Sequence, residues 1–177
     1  MMRMKPLLLA ATFLLAACDG GGEGEGNNAA SGKGGSGGAA ATGPIGADDS
    51  LTGLYEKKEG GLSSQLCIVQ RGSGEARFGM NLWGGNMHSC SGAGTVARAG
   101  QQLTLTMAGD RACTITARIE GNAIRLPESV REGCSYYCGK QARMTGLSLA
   151  RTGTSEADAL KARDVVDEPL CDAPKAN

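Results

Sequence analysis

The sequence predicts an all-β fold: a small antiparallel meander or barrel of about eight strands with a short C-terminal helix, stabilised by disulfides. Three observations predict it. Apolar and polar residues alternate with period two from Leu51 to Arg151. Glycine-rich turns separate the alternating segments. Six cysteines follow in a region with very few aromatic residues, so cross-links supplement a modest apolar core.

The strands are argued in chain order. Leu51–Lys57 and Gln65–Arg71 are separated by Gly60-Gly61. Phe78, Met80 and Leu82 alternate with Arg77, Gly79 and Asn81. Gly84-Gly85-Asn86 then turns the chain into His88–Arg98, where Ser91-Gly92-Ala93-Gly94 reads as a bulge. Leu103-Thr104-Leu105-Thr106-Met107 has the clearest alternation. A turn at Ala108-Gly109-Asp110 leads to Cys113, Ile115, Ala117 and Ile119, again in alternation. Asn122–Leu126 and Ala142–Arg151 complete eight. Ser155-Glu156-Ala157-Asp158 has the form of a capping box, predicting a helix to about Arg163.

The chain divides into residues 1–17, a signal segment; 18–49, a cysteine and a Gly-rich linker; 50–153, the β domain; and 154–177, the helix and tail. Arg3 and Lys5 precede an apolar run from Leu7 to Ala17 that is too short to span a bilayer core. The run ends Leu15-Ala16-Ala17-Cys18. These residues resemble the lipobox of bacterial lipoproteins, in which an aliphatic residue and two small ones precede the lipidated cysteine. The resemblance implies cleavage before Cys18, a diacylglyceryl thioether on its sulfur, and further acylation such as palmitate on its nitrogen. The protein is then held in the cell envelope facing the periplasm. Asp19 implies a lean towards the inner membrane. As a flexible coil, the linker would reach about 30 Å from the anchor.

The formal net charge is zero, but it is segregated. Residues 19–49 hold five acids and one base, residues 50–154 twelve bases and seven acids, and residues 155–177 six acids and three bases. A domain of +5 thus lies between arms of −4 and −3. No nucleic-acid partner is expected; the expected partners are the membrane, through Cys18, and a protein or cell-wall polymer.

Apart from Cys18, the cysteines are Cys67, Cys90, Cys113, Cys134, Cys138 and Cys171, read as three disulfides whose pairing the sequence leaves open. Cys171 is expected to pin the C-terminal arm to the domain. In a simple meander a strand separates Cys67 from Cys90, which disfavours bonding between them. A soft-metal set of Met80, Met87, His88 and Cys90 is the alternative use of these sulfurs. No cofactor and no catalytic residue is expected. His88 is the only histidine and carries no hydrolase signature. Trp83, Ser91, Tyr136 and Tyr137 are candidate binding residues, the aromatic ones on expected loops.

Ser91-Gly92-Ala93-Gly94 is similar to the Ser-Gly-x-Gly segment of MliC-like inhibitors of c-type lysozymes, which are lipid-anchored, disulfide-bonded eight-stranded barrels. Here the segment continues Thr95-Val96, where the family has a basic residue and a tyrosine. Three functions are therefore in view: a non-enzymatic binding or structural module, a lysozyme inhibitor, and an envelope metal carrier or enzyme.

Overall fold

The structure is a computed structural model that describes residues 45–46, 49–71 and 75–171. Eight antiparallel strands close into a barrel in sequence order. They are β1 (Gly53–Glu59), β2 (Leu62–Val69), β3 (Ala76–Trp83), β4 (Ser89–Ala99), β5 (Gln102–Met107), β6 (Thr114–Glu120), β7 (Ala123–Arg125) and β8 (Ser148–Gly153). Closure is made by β8 against β1, where Tyr55 pairs with Arg151 and Glu56 with Ala150; an irregularity lies between Leu54 and Tyr55. Closure gives each of these strands a neighbour on both sides.

Alternation decides what fills the barrel. Tyr55, Leu66, Ile68, Phe78, Met80, Leu82, Leu103, Leu105, Met107 and Ile115 point inward and are fully buried. The Tyr55 hydroxyl donates to the Leu51 carbonyl at 2.9 Å. Burial pushes this phenol up to about 12, against the opposing pull of the Arg151 and Arg98 charges.

β2 is apolar on both faces, because Leu66-Cys67-Ile68-Val69 is buried without a break. The C-terminal arm covers its outer side. Ser155 caps a short helix, α1 (Glu156–Ala159), through a reciprocal capping box with Asp158. The Lys161 ammonium and the Ser155 hydroxyl, both bonded to the Asp158 carboxylate, hold it down to about 2. The helix is shorter than the sequence predicts. It stops at Ala159, and the chain turns so that Ala159, Ala162 and Cys171 pack on Leu54, Cys67 and Val69. A disulfide joins Cys67 to Cys171.

Several expectations are corrected. Residues 142–147 are not strand; Ala142 and Met144 keep two-residue spacing but lie buried in an irregular connection. Ile45, expected in the linker, is buried in the barrel core and its amide donates to the Gly121 carbonyl at 2.7 Å. No bulge occurs at Ser91-Gly92-Ala93-Gly94: the β3–β4 register runs unbroken from Ala76 opposite Val96 to Trp83 opposite Ser89. Trp83 is the last residue of β3 and not a loop residue.

The signal segment, Cys18 and most of the linker lie outside the described residues, as does the tail beyond Cys171. Among the described residues, no helix is long and apolar enough to cross a membrane.

Candidate functional site

The two ends of the barrel are closed differently. At the near end, Ile45 and Leu51 enter the core. There the Arg98 guanidinium binds the carbonyls of Gly46, Asp49 and Gly100 at 2.7–2.8 Å. At the far end, the long connection from β7 to β8 folds over the opening. A 3-10 helix, Glu132–Tyr137, forms its centre.

Two disulfides clamp that helix. Cys134 is bonded to Cys113, which immediately precedes β6, and Cys138 to Cys90 in β4. The Cα separations are 4.9 and 4.0 Å. Gly139 adds a backbone bond from its amide to the Ser89 carbonyl at 2.9 Å.

The helix period then sorts the side chains. A 3-10 helix has three residues per turn, so Cys134 and Tyr137 share a face. Cys134 is buried, and Tyr137 packs against the core. The Tyr137 ring lies beside Gly92 and its hydroxyl beside Gly109. Tyr136 falls between these positions and points out, 90% exposed. Its ring meets that of Tyr137 edge-on, with centroids 6.0 Å apart and planes at 88°.

A second exposed apolar residue stands at the same end. The β3–β4 connection forms a 3-10 turn, Gly85–Met87, in which Asn86 (φ 50°) and Met87 (φ 60°) are both left-handed. Such a conformation is unfavourable for a methionine. The Gly85 amide donates to the Gln141 carbonyl at 3.0 Å, and the Asn86 side-chain amide to Gln141 Oε1 at 2.9 Å. Met87 is thereby held 66% exposed. Arg131, Lys140 and Arg143 are exposed on the same connection. Its acids are Glu132 and Glu128, the latter paired with Arg125 at 2.7 Å.

The structure thus brings together Tyr136, Tyr137, Cys90, Cys113, Cys134 and Cys138. Trp83 is half-buried at the end of β3, its amide bonded to Ser64 Oγ at 2.9 Å. Ser91 sits apart on the outer wall of β4, opposite the buried Asn81. Cys67 and Cys171 join the arm to the outer wall and take no part.

The soft-metal set is not assembled. Cys90 is bonded to Cys138, Met80 is in the core and Met87 is in solvent. Among the described residues, no three His, Cys, Asp or Glu side chains converge.

A polar network ties the outer wall. Glu56 accepts from Ser63, Gln65 and Thr152 at 2.8–3.1 Å. Burial raises its carboxyl, but the hydrogen bonds from Gln65, Thr152 and Ser63 outweigh this and leave it below the usual carboxylate range. Gln65 Oε1 in turn accepts the Arg163 amide at 2.9 Å, fastening the arm.

The sequence reading missed Val165 and Val166, which are 54% and 69% exposed on a turn between Arg163 and Pro169. An apolar pair between acids was the available signal. No family model, no curated protein and no solved structure matches this chain.

Proposed function

We propose that this chain is a lipid-anchored protein of the bacterial cell envelope whose barrel is a non-enzymatic binding module. The partner docks on the far end of the barrel, and Tyr136 is the anchor residue. The observation that carries this reading is the placement of Tyr136, exposed between two cysteines that are each bonded to a different part of the barrel wall. An aromatic side chain held in this way loses little conformational freedom on binding. Exposed aromatic residues on rigid elements are frequent energetic centres of interfaces. The barrel interior is filled with side chains, so recognition by this fold falls to its surface.

The anchor rests on Leu15-Ala16-Ala17-Cys18. Cys18→Ala should abolish incorporation of radiolabelled palmitate into the protein; a variant labelled as strongly as the parent would refute lipidation there. Docking is tested with the Cys18→Ala protein and isolated envelopes. Tyr136→Ser should abolish sedimentation with them, and unchanged sedimentation would refute the assignment.

Inhibition of a c-type lysozyme is the second reading. It is favoured by the closed eight-stranded barrel, which is the architecture that the resemblance implies. The purified protein should then inhibit such a lysozyme, and Ser91→Ala should weaken the inhibition.

A further inference from the structure

Four large apolar residues are exposed among the described residues: Met87, Tyr136, Val165 and Val166. They fall into two groups of opposite charge. Met87 and Tyr136 stand at the far end with Arg111, Arg131, Lys140 and Arg143, against Asp110 and Glu132 once Glu128 is taken by Arg125. Val165 and Val166 form the tip of the arm, flanked by Asp164, Asp167 and Glu168. The Asp164 carboxylate accepts the amides of Val166 and Glu168 at 2.8 and 2.9 Å, which fixes the tip as a knob. Among the described residues, only the long 3.9 Å contact from Arg163 to Asp167 offsets its charge.

We infer that the two patches are the halves of one contact between two copies of this chain, the Val165-Val166 knob of one seating on the Tyr136 end of another. This rests on the reading of the Tyr136 end as a docking surface and names its partner. The charge argument selects the occupant. A small apolar surface rimmed by bases is matched by a small apolar surface rimmed by acids, and both are present at equal concentration in any pair of chains. The two patches differ, so the contact joins unlike surfaces of two molecules. Each patch is small, which puts the contact in the weak, transient class below about 1,200 Å². Anchoring in a shared membrane would raise the effective concentration and compensate for that.

The test uses the full chain in membranes, with a benzophenone amino acid in place of Tyr136. On irradiation, a mixture of isotopically light and heavy chains should give a mixed dimer cross-linked within the tryptic peptide 164–175. Asp167→Asn with Glu168→Lys should reduce that dimer about three- to tenfold. Adding Lys140→Glu and Arg143→Glu should restore it. A cross-link from position 136 to another molecule would overturn self-association while leaving the docking surface standing. A probe that cross-links to nothing would overturn both. A dimer unaffected by the charge changes would overturn the pairing of the patches.

Discussion

Leu170 crosses the outer wall of the barrel directly over Gly79, its carbonyl oxygen standing where a side chain on Gly79 would begin. The next residue, Cys171, is bonded to Cys67, which pairs with Gly79 across β2 and β3. The arm is thus seated by one missing side chain and one covalent bond. Gly79→Ala should lift it, at a cost of about 1–3 kcal/mol, because the obstruction is backbone. Thermal unfolding would show the loss, and faster tryptic cleavage after Arg163 would locate it in the arm.

The Cys67–Cys171 bond closes a sequence separation of 104 residues. The chain-entropy relation gives about 4–5 kcal/mol for a loop of that size. Replacing both cysteines with serine should lower the unfolding free energy by an amount approaching this and free the arm to proteolysis. Urea unfolding of the double variant measures it.

Gly94 and Gly92 both turn into the barrel, but against different neighbours. A Cβ on Gly94 would collide with the Thr106 carbonyl of the adjacent strand, whereas one on Gly92 would collide with the flexible terminal methyl of Met107 and meet Met107 Sδ and the Tyr137 ring at an ordinary 3.4 Å. Gly94→Ala should therefore destabilise the barrel by about 1–3 kcal/mol, and Gly92→Ala by clearly less. Met107→Ala should further reduce the penalty at Gly92 and leave that at Gly94 unchanged, a difference that a double-mutant cycle in chemical denaturation reads directly.

Tyr55 makes stability fall at high pH. Its folded value of about 12 lies above the ordinary value of 10.0. Its contribution is complete below pH 10 and is lost as pH rises through 12, because the unfolded chain ionises first. The two-unit difference corresponds to about 2–3 kcal/mol. Tyr55→Phe should lose the bond to Leu51 at neutral pH but remove this alkaline decline. A variant whose unfolding free energy falls between pH 10 and 12 as steeply as the parent's would contradict the assignment.

The strands were legible because period-two alternation and glycine turns are local signals. Where the reading failed, a tertiary demand had imitated or hidden such a signal. Ala142 and Met144 alternate because both plug the end of the barrel, not because they extend β8. Ser91-Gly92-Ala93-Gly94 suggested a bulge, yet its glycines answer to Thr106 and Met107 on the neighbouring strand β5. Cys171 and the Ser155 capping box announced the arm. The exposure of Val165 and Val166 depends on how the arm returns from Ala162 to Cys171, which no local pattern records. Tyr136 was legible as a candidate residue, but its clamp was not, since the clamp depends on which cysteine meets which.

The clamp is the central claim, and disulfide mapping of the unreduced protein tests it most directly. Trypsin should release residues 132–140 as one peptide carrying Cys134, Tyr136 and Cys138. That peptide should emerge joined to both 78–98, through Cys90, and 112–118, through Cys113, with 59–71 joined separately to 164–175. A bond between Cys134 and Cys138 within the peptide, or free thiols on it, would leave Tyr136 unclamped and contradict the account.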